Sequence, residues 1–261
     1  MKFIHISDLH FQALESNNEA ATSRLDFINK NYPDHNLIVT GDIADDGDKK
    51  QFDLAYKALE PFKGRIYITP GNHDFGWKGN AYSNERAKRF DKMLSIPLQQ
   101  GGTFAGDNPP VVNSLMDEFD KVMLIALDTN IETNDSRIFA QGQVGKRQLS
   151  FLKTNLPKPE WKDRTKILFF HHHPFFNDDW TSVLLDAEEL MQTIYKLVDV
   201  VCFGHQHVSG LWLDRDGIKY ILAAGNLGYV RNDPPADTAR EIIIMKGDIT
   251  VKDIKVIPTS T

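Results

Sequence analysis

Residues 65–76 read RIYITPGNHDFG: a short apolar run stops at a turn, then offers an amide, an imidazole and a carboxylate in succession. Gly71-Asn72 alone is ordinary turn chemistry, because both residues tolerate backbone angles that others avoid. The pattern gains weight by recurring. KFIHIS is followed by Asp8-Leu9-His10, NLIVT by Gly41-Asp42, KILFF by His171-His172-His173, and VVCF by Gly204-His205-Gln206-His207. Runs this short and this rich in β-branched and aromatic residues suit strands. Open α/β sheets collect ligands outside the carboxyl ends of their strands, so five such turns predict one shared site.

Histidine usage agrees. Of nine histidines, seven lie in these turns, whereas His5 reads as a packed strand residue and His35 as an exposed one. Residues i and i+2 of extended chain point the same way, so Asp8 with His10, and His205 with His207, can each present two donors to one pocket. Gly41, Gly71 and Gly204 remove side chains where backbone approaches the site. Imidazole nitrogen with carboxylate and amide oxygen, and no thiolate, suits Mn, Fe, Zn, Co or Ni. The donors are too many for one tetrahedral zinc, and two ions sharing a carboxylate would use them all.

Other apolar runs, VMLIAL, IKYILAA and REIIIM, also read as strands. Helical patterns lie between the early ones, including a polar start leading to Leu25, Phe27 and Ile28, then DKKQFDLAYKALEPF, SNERAKRFDKMLS, GKRQLSFLKTNL and DAEELMQTIYKLV. Strands alternating with helices, then closely spaced strands, predict a layered α/β domain. The loops at 99–113 and 228–239 are rich in Gly, Pro and Asn; each reads equally as surface excursion or active-site wall, the second reading making Phe104, Tyr229 and Arg231 substrate contacts.

The bulk numbers bound the partners. With 261 residues, net charge −6 and pI near 5.8, the chain does not suit bulk electrostatic binding to nucleic acid or an anionic membrane. No run approaches the ~18 apolar residues of a membrane span, and the N-terminus lacks the apolar stretch of about 7–15 residues that a signal peptide needs. The expectation is one domain over residues 1–261, cytoplasmic, acting on a small molecule. A homodimer is compatible with the sequence, which sets no oligomeric state. The single cysteine, Cys202, excludes an intrachain disulfide and reads as a core residue.

The ordered set D-x-H, G-D, G-N-H-D, a later His and G-H-x-H, running from Asp8 to His207, resembles the calcineurin-like metallophosphoesterase superfamily. The resemblance implies a four-layer α/β/β/α sandwich with a dinuclear metal site at the strand carboxyl ends. It implies Asp8, His10 and His207 on the first ion, Asp42 bridging, and Asn72, His172 and His205 on the second. His172 is chosen over its neighbours because the family places this ligand two residues before a proline, here Pro174; His171 is then a strand-end neighbour and His173 a residue that supports the ligands or lines the substrate pocket. His73, oriented by Asp74, is implied as general acid or charge stabiliser, with hydroxide held between the ions as nucleophile.

Departures from other branches narrow the chemistry. No Arg follows Asp45, unlike phosphoprotein phosphatases, and Asp45 stands where purple acid phosphatases place a tyrosine ligand. ISDLHF, GDIADDG, GNHDFG, ALDTN and GQVGKRQLSFL together look most like the bacterial class III cyclic-nucleotide phosphodiesterase and glycerophosphodiesterase group. That likeness implies phosphodiester hydrolysis. The alternatives are a phosphomonoesterase or nucleotide pyrophosphatase, and a non-catalytic scaffold of the same fold.

Overall fold

The computed structural model describes residues 1–132, 140–175, 180–230 and 232–257. The chain runs β1 (Lys2–Ile6), α1 (Glu19–Asn31), β2 (Asn36–Thr40), α2 (Lys49–Leu59), β3 (Ile66–Thr69) and α3 (Asn72–Phe75). A small hairpin comes next, β4 (Gly76–Trp77) with β5 (Ala81–Tyr82), and then α4 (Asn84–Phe90). The second half holds β6 (Val111–Met116), β7 (Lys121–Ala126), α5 (Gly145–Asn155), α6 (Pro159–Lys162), β8 (Thr165–Phe169), α7 (Ala187–Ile194), β9 (Val200–Phe203), β10 (Gly210–Arg215), β11 (Ile218–Ala223), β12 (Thr238–Met245) and β13 (Asp248–Lys255).

Two sheets form, ordered β13-β12-β1-β2-β3 and β10-β11-β9-β8-β7-β6. β1, β2 and β3 are parallel, as are β7, β8, β9 and β11, so the carboxyl ends of the central strands gather at one edge. Alternation along each strand builds the layers. Ile167 and Phe169 of β8, with Val200 and Cys202 of β9, face the first sheet, in one apolar core with Phe3, Ile4, Val39 and Ile68. Leu168, Phe170, Val201 and Phe203 point outward to Leu149 and Leu152 of α5 and to Leu190 and Ile194 of α7. Leu25 and Ile28 of α1, with Phe52, Ala55 and Leu59 of α2, cover the other sheet. The result is the four-layer α/β/β/α sandwich.

Local chemistry fixes the loop that carries Asp42. Asp48 stands at the N-cap of α2, and the buried Gln51 side chain accepts from the backbone N–H of Asp46 at 2.8 Å and Asp48 at 3.3 Å. This reciprocal capping holds the chain between Asp42 and the helix.

Besides the small β4-β5 hairpin, three strands of the two large sheets escape the sequence patterns, all at sheet edges: β6, which begins inside the Gly/Pro-rich stretch, β10 and β13. His5 is packed as expected, its Nε2 2.9 Å from Thr40 Oγ1. His35, expected on the surface, is buried with Nε2 2.8 Å from Glu241 Oε1, because β12 folds back antiparallel to β1 and brings Glu241 to it. Phe104 is also buried, edge-on to Phe90, and is a core residue.

Candidate metal centre

Every donor reaches the site from a turn leaving the carboxyl end of a strand: Asp8 and His10 after β1, Asp42 after β2, Asn72 after β3, His171 after β8, His205 and His207 after β9. Backbone bonds zip these turns together beyond the sheets. Asp8 N–H donates to Gly41 O at 3.1 Å, His10 N–H to Asp42 O at 2.9 Å, and Gly204 N–H to His171 O at 3.0 Å. Asp8, His10, Asp42, His205 and His207 all have positive φ, from 45° to 76°. This left-handed backbone costs a non-glycine residue about 1–2 kcal/mol, and such residues gather at functional sites. Gly41, at φ 89°, is where the turn needs glycine: a Cβ there would lie 2.6 Å from His171 Nδ1.

The donors form two half-sites. In the first, His207 Nε2 is 3.2 Å from His10 Nε2 and 3.4 Å from Asp8 Oδ1. In the second, His171 Nε2 is 3.2 Å from Asp42 Oδ2, 3.0 Å from Asn72 Oδ1 and 3.1 Å from His205 Nδ1. Asp42 Oδ2 also lies 3.9 Å from His10 Nε2, so one oxygen looks into both half-sites.

These donors fit two divalent ions. Donors about 2.1 Å from an ion stand about 3.0–3.4 Å from one another at octahedral or tetrahedral angles, the separations seen here. Asp8 Oδ1 is buried without a hydrogen-bond partner, an omission that polar atoms in native interiors rarely show. The outer nitrogens hold the rings in place: His171 Nδ1 donates to Thr40 O at 2.7 Å and His207 Nδ1 to Asp233 Oδ2 at 2.6 Å. Such bonds select the tautomer whose Nε2 is free to bind a metal.

The charge pattern stems from this crowding. Burial works against the ionised Asp8, but the nearby His207 imidazole, 3.4 Å away, and then His171 hold its carboxyl down to about 2. Asp42 lies well below the carboxylate range against the same penalty, through the charge of His171 and then of His73. Burial lowers His171 and His207, yet Asp42 and Asp8 respectively override it and raise each to about 9. His205 falls to about 3 through burial and the positive His171. The metal-free site therefore keeps protons on one imidazole in each half, and ions must displace them.

At the histidine triplet the structure departs from the expected placement. His171, not His172, meets Asp42, Asn72 and His205. β8 explains the shift: Ile167 and Phe169 face the sheet interface, and His171 continues their side of the strand, whereas His172 continues the side of Leu168 and Phe170. His172 Nδ1 lies 2.7 Å from Thr129 Oγ1, and burial holds its ring well below the usual imidazole range. We propose His171 as the ligand. His171→Ala should weaken the second ion by more than about 100-fold, while His172→Ala, acting from outside the donor set, should cost no more than about 10–100-fold. Manganese titration of the stripped protein by calorimetry reads both; the reverse ranking would restore His172. The same titration should show tighter binding at pH 8.5 than at 6.5, since the protons on His171 and His207 compete with metal up to about pH 9.

Two further expectations change. Asp74 does not orient the His73 ring: its buried carboxylate accepts the N–H groups of Ile43 (3.2 Å), Ala44 (2.8 Å) and Gly71 (2.9 Å), tying the Asp42 turn to the Asn72 turn. The His73 ring is held by Asp45 O, 2.6 Å from Nδ1, and its backbone N–H donates to Asp42 Oδ1 at 2.9 Å. His73 also lies within 4.8 Å of donors on His10 and Asp42. His173 turns away from the metal mouth. Its ring packs on Phe203, and it lines a separate cavity of about 720 Å³ with Phe175, Met191 and Arg215 on the α7 side. Arg231 lies outside the described residues, and Tyr229 is 47% exposed on its loop.

A two-sheet sandwich that gathers His, Asp and Asn donors for two cations at one edge has the architecture of a metallohydrolase. The profile of the calcineurin-like phosphoesterases matches residues 1–209, and the chain belongs to that family. It is 27% identical to a probable cyclic nucleotide phosphodiesterase of Rhodopseudomonas palustris over 86% of this chain and 78% of that one. It is 25% identical to a probable glycerophosphodiester phosphodiesterase of Arcobacter nitrofigilis, over 94% and 85% of the two chains. A dimetal phosphatase from Danio rerio shares the fold, with TM-score 0.69 at 15% identity, covering 98% of this chain and 96% of that one. Among the described residues, no helix is long and apolar enough to cross a membrane.

Proposed function

We propose that residues 1–261 act as one metallophosphoesterase domain that hydrolyses a phosphodiester bond of a small molecule, such as a cyclic nucleotide or a glycerophosphodiester. The observation that carries this reading is the mouth of the metal centre. A cavity of about 400 Å³, lined by Asp42, Asn72, His73, His205 and His207 with Ala140, Ser182, Gln206 and Val208, opens on both half-sites at once. That volume suits a small ligand. Among its described lining residues there is no Lys or Arg, which matches a singly charged diester better than a doubly charged monoester terminus. The names of the two sequence relatives point the same way.

When bound, two divalent ions would offset charge on the phosphoryl oxygens and lower the pKa of water; the donors suit Mn, Fe, Zn, Ni or Co. Asp8, His10 and His207 would hold one ion, Asn72, His171 and His205 the other, and Asp42 both. His73 is the proton donor of this reading. Its Nδ1–H bonded to the Asp45 carbonyl leaves Nε2 to carry a proton to the departing oxygen. The Asp74 carboxylate keeps the turns bearing Asp42 and Asn72 in register.

A substrate panel tests the proposal. With protein stripped and reloaded with Mn²⁺, kcat/KM should be higher for bis(p-nitrophenyl) phosphate or a cyclic nucleotide than for p-nitrophenyl phosphate, by about tenfold or more, one decade being only 1.36 kcal/mol of barrier. A clear preference for the monoester at matched pH and loading would transfer the assignment to phosphomonoester hydrolysis. No turnover of any phosphoester would favour the scaffold.

A further inference from the structure

Of the imidazoles assigned to the two ions, His207 is singled out by the group behind it. His171 gives its outer N–H to a neutral carbonyl. His205 Nε2 and His10 Nδ1 have no hydrogen-bond partner, the nearest carboxylate oxygen to His10 Nδ1 being Asp45 Oδ1 at 3.4 Å. His207 Nδ1 meets a carboxylate, Asp233 Oδ2, at 2.6 Å. This contact spans 26 residues and comes from the Pro-rich loop after β11.

That loop is built onto the first half-site at two points. Its first turn is anchored on Asp8, whose carbonyl accepts the N–H groups of Leu227 at 3.0 Å and Gly228 at 3.1 Å. The buried Asn226 organises the rest of the loop: its carbonyl accepts the N–H of Ala236 at 2.7 Å, and its side-chain amide approaches the carbonyl of Asp233 at 3.4 Å. Asp233 is itself turned back by its own N–H bonding Val230 O at 3.0 Å. The Asp233 carboxylate is thus presented by a folded turn rather than by a free side chain. A neutral imidazole between a carboxylate and a metal position keeps its proton on the nitrogen facing the carboxylate, and the bond increases the basicity of the other nitrogen.

We propose that Asp233 is a positioning residue for the first ion, fixing the tautomer and ring plane of His207 and raising its strength as a donor. The inference rests on the dinuclear reading of the site. It gives Asp233 a role in metal loading that needs no direct contact with substrate.

The test is metal binding by the full chain, free of turnover. Mn²⁺ isotherms of the stripped wild-type protein should show two ions. Asp233→Ala should weaken one of them by about 10–100-fold and leave the other within about threefold, the size expected when such an outer partner is lost. Asp233→Asn, whose amide oxygen still accepts the Nδ1–H, should recover much of that loss. In the Zn²⁺-loaded protein, proton NMR should show a downfield imidazole N–H in wild type that is absent in Asp233→Ala and present in Asp233→Asn. Circular dichroism of the stripped variants should match wild type, which separates positioning from misfolding. Two ions bound with unchanged affinities in Asp233→Ala would overturn the inference, as would equal weakening of both or no rescue by asparagine. Fewer than two ions on the wild-type protein would instead overturn the dinuclear reading beneath it.

Discussion

Replacing Asp42 with alanine is expected to abolish phosphoester hydrolysis and to disturb both ion positions. Asp42 Oδ2 faces both half-sites, 3.2 Å from His171 Nε2 and 3.9 Å from His10 Nε2. Its other oxygen takes the His73 backbone N–H and its carbonyl the His10 N–H, so the same residue also spaces the turn that carries His73. Two cations without the carboxylate between them would face each other unscreened. Metal contributions of several kcal/mol to transition-state charge correspond to a loss of at least about 10³-fold, and Asp42→Asn, which keeps shape but loses charge, should fall nearly as far. Activity assays with elemental analysis check this. Two ions per chain in Asp42→Ala, or full wild-type activity with one ion, would sink the bridging role.

His73→Ala should separate catalysis from metal binding. In the proposed reading the turn already supplies Asn72 as donor, and the His73 ring is occupied by the Asp45 carbonyl on one side. Both ions should therefore remain, while kcat falls about 10²–10⁴-fold, the usual worth of a positioned general acid. The loss should be largest for alkyl leaving groups, which depart as strong bases, and smallest for nitrophenolate, which needs little protonation. Loss of an ion in the variant would make His73 a ligand, an arrangement its approach to His10 and Asp42 makes worth testing. Equal losses across leaving groups would remove the acid role.

The strands that carry donors were legible because each is an apolar run ending abruptly in Asp, Asn or His. The parity of β8 was not. TKILFF is apolar on both faces, since one faces the other sheet and one faces α5 and α7, so nothing in the run tells which side His171 or His172 joins. The role of Asp74 was hidden for a different reason: its partners at Ile43 and Ala44 are backbone groups about thirty residues earlier, and backbone groups leave no signature in sequence. Asp233 was obscured by its setting in a loop whose Gly and Pro residues advertise only a turn. The missed edge strand β13, DITVKDIK, has only three apolar residues, its alternation broken at Lys252-Asp253, and lacks the apolar run that marked the others.

A sequence selected for stability alone would rewrite the donors at positions 8, 10, 42, 205 and 207. Glycine at each would release left-handed strain of about 1–2 kcal/mol against about 0.5–1 kcal/mol of extra chain entropy, and in a cell short of the metal nothing would offset the crowding of buried charge around Asp8 and Asp42. The sandwich would survive such drift, since its apolar layers lie along the strands and not at their tips. Automated redesign that scores fold energy without ions would make the same substitutions and return a hardier, inert protein. Engineering this chain for durability therefore has to freeze those five residues, with Asn72 and His171, first and search for gains among the outer helices α1, α2, α5 and α7.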